Sequence, residues 1–109
     1  ILYIKIGEGE RMLILNLDVQ GENLYARLVG KLTKKETYKF HHYIIPYIQK
    51  EKIKNFICDC KGLSKVDSEG KYALLKTKIT MKKQKGNFLL CDVKNDIKKS
   101  LIGYRMRIH

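Results

Sequence analysis

The residues best placed to do chemistry lie in one short turn, Lys65-Val66-Asp67-Ser68-Glu69-Gly70. Ser68 carries a hydroxyl between two carboxylates, Asp67 and Glu69, just ahead of an amphipathic stretch. Asp67 or Ser68 suits the N-cap of a helix there, because a short oxygen-bearing side chain accepts from an unpaired N–H of the first turn. The positive end of a helix tolerates added negative charge. A hydroxyl held at that point is therefore a sensible acceptor for a phosphoryl group; the plainer reading is that Ser68 only caps the helix. The other reactive side chains are less organised. His41 and His42 are adjacent and face different directions on a helix, without an acid–base or metal partner. His41 is expected at the edge of the core and His42 in solvent. Cys58 and Cys60 lie two apart in a strand-like run and share a face. With Cys91 they give an odd count, which reads as buried, reduced thiols of a cytoplasmic protein rather than a disulfide framework or a zinc site. No Gly-rich phosphate loop, nucleophile–base–acid set, paired carboxylates or ligand cluster stands out. The expectation is a non-enzymatic protein with no catalytic residues, no metal site and no cofactor.

The elements that must position the turn follow from periodicity. Phe56 to Cys60 has the length and alternation of a strand, punctuated by Lys61-Gly62-Leu63-Ser64. From Glu69 to Lys83 the pattern is helical, with Tyr72, Leu75 and Ile79 as its apolar stripe and Lys85-Gly86-Asn87 as a C-cap signal. Upstream, Ile1 to Ile6 alternates and Gly7-Glu8-Gly9-Glu10 reads as a turn. Residues 1–11 are expected to be an extra strand or an appended leader, with the domain proper at 12–109 and Met12 as an alternative start. Leu13, Leu15, Leu17 and Val19 mark a half-buried strand, and Gln20-Gly21-Glu22-Asn23 turns the chain into a second strand, Leu24 to Gly30, as an antiparallel hairpin. Thr33 to Lys50 reads as one helix with Tyr38, His41, Ile45 and Ile48 in a stripe beside Phe40, Ile44 and Tyr47. Thr33 and Glu36 have capping-box spacing, and Pro46 should kink or split the helix. Phe88 to Val93 reads as a strand covered on both faces. Asn95 or Asp96 caps a short helix with Ile97 and Leu101 inward, stopped by Gly103, and Tyr104, Met106 and Ile108 alternate as a last edge strand. The order β-β-α-β-α-β-α predicts a single α/β domain with a mixed sheet of four to five strands, an N-terminal antiparallel hairpin and parallel neighbours joined by helical crossovers.

The chain has 109 residues, enough for one core, and 44% of them are hydrophobic, an ordinary globular fraction. No run approaches the ~18 apolar residues of a membrane span, so no membrane partner is expected. The net charge of +12 fits nucleic acid, an anionic surface or an acidic protein partner. The lysines are spread along the whole chain and outnumber arginine, which favours a solvated surface over bidentate phosphate recognition.

In this element order the chain resembles the STAS family, in particular the bacterial anti-sigma factor antagonists, over roughly Met12 to Gly103. Leu28-Val29-Gly30-Lys31-Leu32-Thr33 stands where the family ends its hairpin in a Gly-Glu-Leu-Asp-like tetrapeptide. Val66-Asp67-Ser68-Glu69-Gly70-Lys71-Tyr72 stands for the Asp-Ser-Ser-Gly-Leu-Gly-like turn, and Lys85-Gly86-Asn87-Phe88 for the Gly that leads into the next strand. The resemblance implies a regulator that binds an anti-sigma factor which is also a serine kinase. That kinase phosphorylates the first Ser after the Asp, by position Ser68, and ends the binding. The implied partner face is Lys31, Thr33, Lys65, Asp67, Ser68, Glu69, Lys71 and Tyr72. Here Glu69 replaces the second Ser, Lys71-Tyr72 the Leu-Gly, and Lys31 and Thr33 the two acids of the tetrapeptide. Two alternatives stand beside this reading. One is a STAS scaffold that assembles without phosphorylation. The other is a basic nucleic-acid-binding module using Lys31, Lys34, Lys35, Arg105 and Arg107.

Overall fold

Alternating apolar residues in the first half of the chain build a sheet whose inward row is almost wholly Leu, Ala, Phe and Cys. The computed structural model describes residues 2–6 and 13–109. Five strands, β1 (Leu2–Ile6), β2 (Ile14–Gln20), β3 (Asn23–Leu32), β4 (Asn55–Val66) and β5 (Asn87–Cys91), form one mixed sheet in the order β1-β2-β3-β4-β5. The β1–β2 and β2–β3 pairs are antiparallel, and β3–β4 and β4–β5 are parallel. The turn expected at Gly7 to Glu10, and Met12, lie outside the described residues. Gly21, at φ +62°, makes the two-residue turn between β2 and β3.

The helices lie on one face. Leu15, Leu17, Leu24, Ala26, Leu28, Phe56, Cys58, Cys60, Phe88 and Leu90 point to them and are buried in one core with Phe40, Ile44, Ile48, Leu74, Met81, Ile97 and Leu101. The opposite face carries Tyr25, Arg27, Ile57 and Asp59, which line a shallow hollow with Asn16 and Asp18. Arg27 and Asp59, neighbours in register, pair there at 3.6 Å. At the start of the parallel strands three asparagines stand side by side. Asn87 Nδ2 donates to Asn55 Oδ1 at 3.1 Å, and Asn55 Nδ2 to Asn23 Oδ1 at 2.9 Å.

Several expectations are corrected. Strand β4 does not stop at Lys61-Gly62 but runs on to Val66. Gly62 allows the close approach of β3, since a Cβ there would meet Val29 Cγ2 at 3.0 Å and the Leu28 carbonyl at 3.2 Å. The register shift between Arg27 and Val29 absorbs the irregularity. Residues 33–50 are not one α-helix. They form a 3-10 turn (Lys34–Glu36), a π-helical turn (Lys39–Ile44) and α1 (Ile45–Lys50). The split falls beside Pro46, in the first turn of α1, where its missing N–H breaks no bond. The change of pitch also changes what is buried: Tyr38 is exposed and Lys39 is fully buried. Lys39 Nζ donates to the Leu13 carbonyl and to Glu36 Oε1 at 2.7 Å, and that same oxygen accepts from the Leu13 N–H at 2.7 Å. Glu36 therefore serves Leu13 and Lys39 rather than a capping box with Thr33, which makes no side-chain cap bond.

Helix α2 (Ser68–Lys83) buries Gly70, Ala73, Leu74, Thr77, Thr80 and Met81, not the expected stripe. Tyr72 is 54% exposed and Ile79 44%. The Thr77 and Thr80 hydroxyls donate to the Ala73 and Lys76 carbonyls at 2.8 and 2.9 Å, so both are satisfied inside the helix. The helix closes with Lys85, at φ +58°, in the left-handed region. The Lys85 N–H donates to Lys82 O and that of Gly86 to Met81 O, at 2.9 and 2.8 Å, a Schellman arrangement in which lysine holds the position usual for glycine. Strand β5 is an edge strand with one half-buried row, not a strand covered on both faces. Helix α3 (Asn95–Ser100) is preceded by Lys94, which makes no side-chain cap bond in place of the expected Asn95 or Asp96 cap. The final segment is a 3-10 turn (Ile102–Tyr104) and an extended tail rather than a full strand. Leu90 N donates to Arg107 O at 2.9 Å and His109 N to Leu90 O at 2.8 Å, a single parallel bridge.

Candidate functional site

The site is built where β3 and β4 end and α2 begins. Lys31 pairs with Lys65, and Leu32 with Val66, as the last residues of the two strands. The Asp67 N–H then donates to the Leu32 carbonyl at 3.2 Å. The Asp67 carboxylate does two jobs. Its Oδ1 accepts from the Gly70 N–H at 2.8 Å and caps α2, and its Oδ2 accepts from the Lys34 N–H at 2.9 Å at the head of the 3-10 turn. One side chain thus serves both helical N-termini, which explains why Thr33 needs no capping bond of its own. Gly70 makes this convergence possible, because a Cβ there would collide with the Leu32 carbonyl oxygen and sit 2.9 Å from Val66 Cγ1.

Asp67 rather than Ser68 is the cap. Ser68 is the first residue of α2, exposed, and its hydroxyl makes no hydrogen bond among the described residues. Around it the sequence-named residues divide by exposure. Lys31, Lys65, Glu69 and Tyr72 are exposed, while Thr33, Asp67 and Lys71 are half-buried. All of them lie on the two strand ends, the first turns of α2, or the residue before the 3-10 turn. Tyr72 also approaches His41, with ring centroids 6.4 Å apart. His41 is half-buried and its pKa is lowered, first by burial and then by the charges of Lys76 and His42.

Lys34 and Lys35 adjoin this site, whereas the Arg105 carbonyl accepts from Lys78 Nζ farther along α2 at 2.8 Å and Arg107 lies elsewhere. The Arg107 guanidinium lies 3.5 Å from Asn87, at the start of β5, beside the asparagine row that opens β3 and β4. Lys31 and Lys65 sit at the far end of the same strands, roughly 30 Å away at about 3.3 Å per residue. The five cations considered for nucleic acid therefore do not form one surface. The thiols hold no ligand site either: among the described residues no cluster of His, Cys, Asp and Glu could hold a metal ion. Cys58 and Cys60 are buried on one face, and burial, aided by nearby negative charge, pushes the Cys60 pKa up to about 12 and that of Cys58 well above the usual thiol range. Among the described residues no helix is long and apolar enough to cross a membrane.

Sequence reasoning named the Tyr72, Leu75 and Ile79 stripe but not that it faces outward, and it did not name Lys76, which flanks the site. The available signal was the complementary pattern, Gly70, Ala73 and Thr77, small residues at helical spacing beside Leu74 that let a helix lie close on a sheet.

Compared with known proteins, residues 15–104 match the model of the STAS domain. The fold is shared with SpoIIAA, an anti-sigma factor antagonist, in its unphosphorylated form, at 20% identity, 87% of this chain, 86% of that one and a TM-score of 0.75. It is shared with the phosphorylated form of SpoIIAA, the Bacillus cell fate determinant, at 21% identity, 87% and 90% coverage and a TM-score of 0.72. It also matches 14% of the murine Slc26a9 anion transporter, over 79% of this chain at 18% identity and a TM-score of 0.64. At these identities the likeness is one of fold. No curated protein matches significantly.

Proposed function

The chain belongs to the STAS domain family, and from that premise we propose that it is a non-enzymatic anti-sigma factor antagonist whose binding to an anti-sigma factor with serine-kinase activity is switched at Ser68. The observation that carries this reading is the division of labour in the turn. Asp67 supplies the cap, so the Ser68 hydroxyl is exposed and spare at the head of a sixteen-residue helix. Phosphorylation adds about −1.5 to −2 of charge and three acceptor oxygens. Within the monomer the N-terminal dipole of α2 tolerates that charge, so the fold is kept while the contact surface changes. The flanking Glu69 makes the change more costly for any partner that must desolvate the turn. SpoIIAA, which shares the fold, is known in both unphosphorylated and phosphorylated forms.

The test is phosphate incorporation from ATP by the candidate serine kinase of the same genome, with Ser68→Ala as the control. Incorporation that disappears in Ser68→Ala is the expected result. Intact binding with no incorporation identifies a scaffold that is not phosphorylated, the reading that Glu69 and Lys71 favour. If kinase and chain neither react nor bind, the antagonist reading is wrong.

A further inference from the structure

The turn and helix α2 form an apolar stripe flanked by lysines. Tyr72 and Ile79 are exposed and Leu75 is half-buried between them, at positions i, i+3 and i+7 of one helix. About half of the Tyr72 and Ile79 surface faces solvent. Lysines stand at the start of this stripe and beside it: Lys31 and Lys65 at the paired strand ends, Lys34 and Lys35 on the 3-10 turn tied to Asp67, and Lys71 and Lys76 on α2 itself. The carboxylates in the same area are Asp67, held by two backbone N–H groups, and Glu69.

From this we infer that the surface of α2 and the adjoining strand ends docks an acidic protein surface, one that presents carboxylates around an apolar centre. The inference rests on the proposed antagonist reading for its location and goes beyond it by assigning the partner's charge. An apolar centre bordered by charge is the anatomy of a protein interface, and complementary potentials set the encounter rate and the choice of partner. Nucleic acid fits less well. The cations are lysines rather than bidentate arginines, the exposed Glu69 stands among them, and a helical aliphatic stripe offers bases no stacking platform beyond Tyr72. The sign of the surface also gives the switch a direction. A phosphate on Ser68 neutralises part of the lysine charge and repels an acidic partner, so the modification and the partner's charge act together to end binding.

The experiment uses three probes of matched length against the full chain: a glutamate-rich peptide of twenty residues with leucines at helical spacing, its lysine-for-glutamate counterpart, and a single-stranded RNA. Binding is followed by amide chemical shifts at two salt concentrations. The expected result is that the acidic peptide perturbs Lys31 to Lys35 and Lys65 to Ile79, that its affinity falls at least tenfold from about 50 to 300 mM salt as screening predicts, and that the basic peptide does not bind. Lys31→Glu with Lys71→Glu should abolish the perturbation, whereas Lys98→Glu with Lys99→Glu, the same charge change on α3, should leave it in place. Equal losses from both pairs would mean that net charge alone is being read, and would overturn the inference. So would failure of the acidic peptide to bind, or tighter binding of the RNA at the same residues. Failure of Ser68 phosphorylation with the acidic footprint intact would remove the switch and leave this inference standing.

Discussion

Alanine at Gly70 would ordinarily help a helix, since Ala exceeds Gly in helix propensity by about 1 kcal/mol. Here the added methyl meets the Leu32 carbonyl and Val66, both part of the strand ends that α2 must reach. Gly70→Ala should therefore lower stability by about 1–3 kcal/mol, the usual cost of overpacking, as a leftward shift in a urea unfolding curve with unchanged slope. A rightward shift would show that α2 can lift off without loss. Lys39 is the second residue with an outsized role. Its ammonium holds both Glu36 and the Leu13 carbonyl out of water. Lys39→Met should cost about 3–5 kcal/mol because it strands a buried carboxylate, and the double variant with Glu36→Gln should recover part of that loss. Lys39 could not be found from sequence. The stripe drawn through Tyr38 and His41 assumed 3.6 residues per turn, and the 3-10 and π turns rotate the phase so that a lysine takes the inward place.

At the scale of elements, the strands and the turn were legible and the helix faces were not. Alternation located β2, β3 and the first half of β4 because every inward position is apolar, Leu, Ala, Phe or Cys. The Asp67-Ser68-Glu69-Gly70 turn was legible because short polar side chains before a periodic run have few other uses. Helix α2 was misread because Gly70, Ala73, Thr77 and Thr80 make up most of its buried face beside Leu74 and Met81, so Tyr72 and Ile79 stood out in hydrophobicity while pointing outward. The end of the same helix yields a prediction. Lys85 holds a left-handed conformation that glycine adopts freely, so Lys85→Gly should raise stability by about 0.5–1 kcal/mol, seen as a higher melting temperature. Gly86 cannot be exchanged in return, because its Cα faces the Lys54 carbonyl, 2.7 Å from where a Cβ would stand.

For the molecule as a whole, two groups tie stability to pH in the same direction but in different windows. The His41 pKa is lowered in the folded protein by burial and by the Lys76 and His42 charges. The unfolded chain therefore takes up a proton first, and stability is complete above the ordinary imidazole value of about 6.5 and declines as pH falls below it. Burial raises the Glu36 pKa, but the Lys39 hydrogen bond, the Leu13 N–H and the Lys39 charge outweigh it, and the net shift is downward. Its contribution is present above the ordinary carboxyl value of 4.5 and lost as pH falls through the lower folded value. Melting temperatures followed from about pH 8 down to about pH 2 should decline in two stages, the second below the ordinary carboxyl range, and His41→Phe should flatten the first while leaving the second. A first stage unchanged in that variant would assign it to another group.

The bridge between Leu90 and the tail has a consequence for how the protein behaves in concentrated solution. The N–H and C=O of Leu90, at the outer edge of β5, are occupied by Arg107 and His109, and the row of asparagines ends at the Arg107 guanidinium. Strand ends of this kind, left bare, act as templates that recruit further chains edge to edge. Removing residues 105–109 would uncover such a template next to three in-register asparagines, side chains that stack readily in fibrils. The shortened chain should fold and then polymerise, giving light scattering that grows with time and concentration, while the intact chain stays clear. In that sense the last few residues act as a built-in chaperone for the sheet.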